Sequence, residues 1–301
     1  MAKITKIYHL ADVHIRPYQL LEEYTNKLNA FKEKLIEDIG DTPKENIRIV
    51  ISGDVTHNKT TVSNELFAFV SLWIRELEKI AKVIVISGNH DLMVGNTSRL
   101  DTLSSIFTTS QFENAIHLDS YFGYDSGIII EDNITWALYS IFSDFKRPNI
   151  EQARQDYPNN TVIGLYHGTV VGATLNNGMV TENGVTGDIF EGCDFVLAGD
   201  LHKRQTIKRG GVKIVYPGSL IQQTFGETIT EHGFAVWDVE KGTYKFIDLP
   251  IDYEMYDFEI KSPDFSGTTA FFSRPKRSTR LDRRPISPPF DNDSNRPRRE
   301  S

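Results

Sequence analysis

From residue 3 to about residue 247, short β-branched runs alternate with segments of helical period, and no other feature constrains the fold of this chain as much. Lys3 to Leu10 reads as a strand. Leu20, Leu21, Tyr24, Leu28, Phe31, Leu35, Ile36 and Ile39 then recur at helical spacing, with Gly40 as the stop. Ile47 to Ile51 is the next strand, Val62 to Ile80 the next helical stretch, and Val83 to Ile86 a third strand. Such alternation favours a sheet covered by helices over an all-α or all-β fold. Further strands are predicted at Gly127 to Ile130, Ile134 to Tyr139, Val162 to Tyr166, Phe195 to Ala198, Val212 to Tyr216, Phe234 to Val239 and Tyr244 to Ile247. The class is α/β, with a strand-rich second half and no solenoid repeat.

A length of 301 residues allows one large domain or two modest ones, at roughly 100 to 200 residues each. Hydrophobic residues at 39% and charged residues at 25% exclude collagen, coiled coil and wholly disordered classes. Cys193 is the single cysteine and cannot form an internal disulfide. Lys3 and Lys6 interrupt any apolar leader, and no apolar run approaches the roughly 18 residues that span a bilayer. A reducing, cytoplasmic setting is expected, with no membrane insertion.

The net charge of −8 argues against a protein that holds nucleic acid mainly by its own field. That average hides a division. Residues 262–301 carry nine basic residues, eight of them arginine, against five acidic ones, and six of the chain's 12 prolines. They show no sustained helical or strand period and read as a disordered tail. The preceding body has 16 lysines and eight arginines, so the basic residue of choice inverts near Lys261. A shift of reading frame there would produce the inversion; a native tail that binds DNA phosphates is the alternative.

Five segments with metal-ligand side chains lie immediately after predicted strands. They are Asp12-Val13-His14, Gly53-Asp54-Val55-Thr56-His57, Gly88-Asn89-His90-Asp91, Tyr166-His167-Gly168 and Gly199-Asp200-Leu201-His202. Ligands in α/β sheets bind beyond the carboxyl ends of strands, so these loops can converge although they are distant in sequence. Taken singly, each has a plainer reading as a turn dipeptide or a hydrogen-bonded histidine. Taken together, they hold five of the eight histidines and point to a metal centre. Mixed carboxylate, imidazole and amide donors suit Mn²⁺, Zn²⁺ or Fe²⁺. His9, His117 and His232 lack such a setting and are expected to be structural.

In that order, these segments resemble the calcineurin-like metallophosphoesterase superfamily, with Gly88-Asn89-His90-Asp91 as the most specific element. Within it, Gly53 to His57, Leu197 to Arg204 and Tyr216-Pro217-Gly218-Ser219-Leu220 are similar to SbcD-type DNA double-strand-break repair nucleases, a group that includes phage recombination endonuclease subunits. The resemblance covers about residues 3–260. It implies a β-sandwich flanked by helices, with a nuclease domain over 1–250, the start of a capping region over 251–261, and the basic tail beyond. It also implies two divalent ions, one held by Asp12, His14, Asp54 and His202, the other by Asp54, Asn89, His167 and Asp200. Asp54 would bridge them. His90 would face the scissile phosphate and be oriented by Asp91, and His57 would help position the strand. Two ions about 3.5 to 4 Å apart can stabilise charge through an in-line displacement. Where the family usually has Gly-His-x-His, this chain has Gly199-Asp200-Leu201-His202. The added carboxylate should move metal preference toward Mn²⁺ or Mg²⁺.

The resulting expectation is a two-metal DNA exonuclease and endonuclease with Mn²⁺ as its cofactor and Mg²⁺ as the alternative. DNA and an SbcC-type coiled-coil ATPase are the implied partners, and a homodimer is compatible with the resemblance. Lys203, Arg204, Tyr216 and Ser219 are the candidate substrate contacts; Lys203 and Arg204 belong to a basic cluster with Lys208, Arg209 and Lys213 that reads equally well as a solvated hairpin. A phosphoesterase for a small phosphodiester or a phosphoprotein is the second reading. A scaffold that binds DNA ends or the ATPase without turnover is the third.

Overall fold

The computed structural model describes residues 3–16, 21–59, 61–93, 99–144, 146–251, 253–259 and 269–275. The chain runs β1 (Lys6–Leu10), α1 (Leu21–Ile39), β2 (Ile47–Ser52), α2 (Asn64–Ile80), β3 (Lys82–Ile86), α3 (Thr102–Ser110), β4 (Ala115–His117), α4 (Leu118–Tyr121), β5 (Gly127–Glu131) and β6 (Ile134–Tyr139). It continues through α5 (Ile150–Asp156), β7 (Thr161–His167), β8 (Phe195–Gly199), β9 (Gln205–Arg209), β10 (Val212–Tyr216), β11 (Gly233–Asp238), β12 (Thr243–Asp248), β13 (Tyr253–Glu259) and β14 (Thr269–Pro275).

Twelve of these strands form two six-stranded sheets, ordered β12-β11-β1-β2-β3-β4 and β5-β6-β7-β8-β10-β9. β1 to β4 are mutually parallel, as are β6, β7, β8 and β10. Successive side chains on a strand point to opposite faces, and β1, β2 and β3 of the first sheet are buried on both. Ile7, Val50, Ile84 and Ile86 face the second sheet, meeting Trp136, Leu138, Ile163, Leu165 and Leu197. Tyr8, Leu10, Ile49, Ile51, Val83 and Val85 face the other way, against Leu28, Phe31 and Leu35 of α1 and Val70, Ile74 and Leu77 of α2. Between the sheets, Trp237 stacks on Phe195 with centroids 4.2 Å apart, a contact of about 0.5–1.5 kcal/mol beyond the area it buries. This is the helix-flanked sandwich of the α/β class expected from the sequence.

Local signals set the ends. Ser63 caps α2 by accepting from the Leu66 amide at 3.1 Å, and Gly40, at φ +53°, lets the chain leave α1. β1 begins three residues later than Lys3. α3 and α5 were not predicted: α3 is Ser- and Thr-rich and depends on the Asp101 cap and on burial of Leu103 and Ile106. Within the stretch read as a tail, Thr269–Pro275 pairs antiparallel with β13. The rest of the tail reading lies outside the described residues. No helix among the described residues is long and apolar enough to cross a membrane.

Candidate metal centre

All five segments gather at the carboxyl ends of the two sheets. The loops after β1 and β2 run side by side: the Asp12 amide donates to Gly53 O at 3.1 Å, His14 to Asp54 O at 2.9 Å, and His57 back to Ile15 O at 3.1 Å. Asp12, His14 and Asp54 all adopt left-handed φ near +50°, and Asp200 lies at +99°. Each such residue costs of order 1–3 kcal/mol, and that strain concentrates where side chains must be aimed rather than packed. Glycine is required where the loops touch. A Cβ on Gly53 would sit 2.2 Å from His167 Nδ1, and one on Gly88 would sit 2.1 Å from the Asp54 carboxylate.

The donors form overlapping groups whose ligand atoms lie within 4.8 Å of one another: Asp12 with His14 and His202, and Asp12 with Asp54 and His167. His14 Nε2 is 2.9 Å from His202 Nε2 and 3.4 Å from Asp54 Oδ2. His167 Nε2 is 3.2 Å from Asn89 Oδ1 and 3.5 Å from Asp54 Oδ1, so Asp54 reaches both halves of the cluster. The outer nitrogen of each ring is tied down. His167 Nδ1 donates to Ser52 O at 2.7 Å, and His202 Nδ1 to Glu227 Oε1 at 2.7 Å. Both Nε2 atoms therefore point inward.

Burial dominates the electrostatics. It pushes the Asp12 carboxyl up to about 7 against the lowering influence of His167 and His202. For Asp54 burial acts the same way, but His167 and His14 overcome it and hold the carboxyl below its usual range. Burial would lower His167, yet Asp54 and Asp12 lift it well above an ordinary histidine. His14 is driven well down by burial, which Asp54 only partly offsets. Buried carboxylates interleaved with inward-facing imidazole nitrogens are the donor chemistry of a divalent cation, and the residues present fit one.

A third donor group joins buried His14 to His57 and His90, which occupy a half-buried margin. His57 and His90 stack with centroids 5.3 Å apart. Burial, with Arg16 nearby, lowers His57 to about 4. His90 Nδ1 donates to His57 O at 2.7 Å, because a carbonyl can only accept.

Several expected roles change. Asp91 does not orient the His90 ring, and the His57 carbonyl does. Fully buried Asp91 instead accepts from Thr56 N at 2.9 Å, Thr56 Oγ1 at 3.1 Å and Gly88 N at 2.9 Å, locking the loops after β2 and β3 together. Asp200 falls outside the donor groups. Its carboxylate accepts from Thr169 Oγ1 at 2.6 Å, while its amide donates to Asp12 at 3.0 Å. Tyr216 and Ser219 are fully buried, and neither faces a substrate: Tyr216 OH donates to Gly168 O, and Ser219 Oγ lies 3.2 Å from both Glu227 and His232. Arg204 pairs with Asp248 and covers the Phe246 ring at 4.5 Å, so its charge is engaged. Lys203 lines a groove of about 520 Å³ beside His202, with Thr174, Asn176, Asn177 and Thr224.

The calcineurin-like phosphoesterase superfamily domain matches residues 5–242. An uncharacterized protein of Acanthamoeba polyphaga mimivirus is 34% identical over 260 residues, covering 83% of this chain and 18% of that relative. The chain thus spans less than one fifth of that relative's length. Similar solved structures include an archaeal phosphodiesterase, 17% identical with a TM-score of 0.38 over 81% of this chain and 99% of that one. Another is the phosphopantetheinyl hydrolase of Mycobacterium tuberculosis, 13% identical with a TM-score of 0.39 over 72% and 90%. With a family match across most of its length and the donor residues gathered at one end of the sandwich, the chain belongs to the calcineurin-like phosphoesterase superfamily.

Proposed function

We propose that the chain is a metal-dependent phosphodiesterase that cleaves DNA at broken or processed ends. The observation that carries its hydrolytic part is the convergence of buried Asp12, His14, Asp54 and His167 with half-buried His202 into one cluster with His90 at its margin. Divalent ions held there by these residues with Asn89 would polarise a phosphate oxygen and offset the charge that develops in an in-line displacement. Mn²⁺ is the proposed ion. His90, fixed through Nδ1 by the His57 carbonyl, turns Nε2 toward the margin. A proton carried on that nitrogen would be donated to a phosphate oxygen or to the leaving oxygen. The stack of His57 on His90 limits how far that ring can turn.

DNA is favoured over a small phosphodiester by the likeness of Gly53 to His57 and of the Tyr216-Pro217-Gly218-Ser219 segment to SbcD-type nucleases. The groove past Lys203 to Asn177 offers further room for a strand. An SbcC-type ATPase partner would supply DNA engagement that a chain of net charge −8 supplies weakly. That same charge favours the second reading, a small phosphodiester. The test is incubation of the purified protein with Mn²⁺ and linear duplex DNA, or with bis(p-nitrophenyl) phosphate, beside Asp54→Ala. Cleavage of DNA by the wild type alone supports the proposal. Cleavage of the small diester with DNA left intact selects the second reading, and DNA binding without turnover of either selects a scaffold.

A further inference from the structure

The segment between β10 and β11 reaches the donor cluster from behind. Glu227, in this segment, is 7% exposed. Its carboxylate accepts from the Gln223 amide at 2.9 Å, from the Ser219 and Thr224 hydroxyls at 3.2 Å each, and from His202 Nδ1 at 2.7 Å. An oxygen already supplied with these donors acts as an acceptor, so His202 Nδ1 carries a proton and Nε2 is the ring nitrogen left to meet a cation. That nitrogen is the one placed among Asp12 and His14.

We infer that Glu227 is a positioning residue for one of the two metal positions: it fixes the tautomer and aim of His202 and thereby sets how tightly that position holds a divalent cation. Metal-binding histidines commonly hand their second N–H to a carboxylate, which orients the ring and makes it a stronger donor. His167 has only the Ser52 carbonyl behind it, so the effect of Glu227 is confined to the His202 side. The same segment also braces the opposite loop. Gln223 Nε2 donates to Val13 O at 3.2 Å, between Asp12 and His14, and the Gln223 side chain and carbonyl accept from Arg16 at 3.1 and 3.2 Å. One loop thus holds donors that come from different sheets.

The inference rests on the metal-dependent reading above, and the test separates the two. Mn²⁺ binding to the full chain is measured by titration calorimetry for wild type, Glu227→Gln and Glu227→Ala. One of two ions should weaken about 10- to 100-fold, less in Gln, which keeps an acceptor, than in Ala, while the other ion is unchanged. The unfolding temperature of metal-free Glu227→Gln should stay near that of wild type. Equal weakening of both ions with a fall in that temperature marks a merely structural role and overturns the inference, as does unchanged binding. Should Glu227→Ala fail to fold, long-range ¹H–¹⁵N spectra of the wild-type histidine rings with Zn²⁺ bound read the tautomer directly. A proton on His202 Nδ1 supports the inference, and a proton on Nε2 overturns it. A wild-type chain that binds Mn²⁺ with this pattern yet leaves DNA intact overturns the proposed substrate and leaves the role of Glu227 standing. A chain that binds no divalent ion overturns both.

Discussion

The His90 amide donates to Asp54 Oδ1 at 2.8 Å, so the carboxylate shared by both halves of the donor cluster also anchors the residue proposed to face the phosphate. Substitutions at Asp54 therefore act twice, once on the cation and once on His90. Asp54→Ala should abolish hydrolysis and lower metal content. Asp54→Asn, which keeps an oxygen for the His90 amide, should lose metal while its backbone amide signals near His90 stay in place. Metal analysis with NMR of the two variants checks the split.

Replacing His90 should leave the ions and remove the chemistry. His90→Ala is expected to retain near-normal Mn²⁺ content while turnover falls about 10²- to 10⁴-fold, the range for a lost general acid. Loss of metal from this variant would move His90 into the donor set.

The Asp200 carboxylate is engaged by Thr169 beside the donor cluster, at the position where the family usually has a histidine. Asp200→His should raise activity with Zn²⁺ or Fe²⁺ relative to Mn²⁺ and Mg²⁺. An activity profile unchanged across the four metals would leave Asp200 with the Thr169 bond alone.

Gly199 lies where β8 meets the loop of β2. A Cβ there would come 2.0 Å from Ser52 O and 2.8 Å from His167 Nδ1, the two partners of one hydrogen bond. Gly199→Ala should destabilise the fold by about 1–3 kcal/mol through forced displacement and should weaken metal binding on the His167 side. Thermal unfolding with and without Mn²⁺ measures both effects.

Away from the centre, Glu131 ties the two sheets together. It accepts from Arg48 at 3.1 Å on each oxygen, from Lys82 at 2.7 Å and from the Trp136 indole at 2.9 Å. Burial raises its carboxyl, but Arg48 and Lys82 more than compensate, and the net shift is downward. The folded value therefore lies below the unfolded one. The stabilisation is present above the ordinary carboxylate value and is lost as pH falls through the depressed folded value. Glu131→Ala should cost about 3 kcal/mol near neutral pH and flatten stability against pH on the acid side, read from denaturant midpoints across that range.

Residue order showed where ligand-type side chains fall along the chain, and the family resemblance supplied their expected roles. Asp12, His14, Asp54, Asn89, His167 and His202 each follow a β-branched run, and parallel strands must deliver their carboxyl ends to the same edge of a sheet. The structure then separates Ile7 from Tyr8 and Val50 from Ile51, because one face of each strand meets a sheet and the other a helix. The sequence could not fix what depends on contacts between distant segments. Glu227 is 25 positions beyond His202, with no spacing rule to connect them, and only the return of the loop before β11 brings them to 2.7 Å. The resemblance credited Asp91 with orienting His90, yet the carboxylate of Asp91 is taken up by Thr56 and Gly88. Tyr216 and Ser219 carried a recognisable segment, but their hydroxyls were claimed by buried acceptors, which sequence does not reveal. Side-chain identity and strand period thus determined which groups could bind a cation. The register of two sheets against each other decided which groups touch, since a hydrogen bond depends on tenths of an ångström that no local pattern encodes.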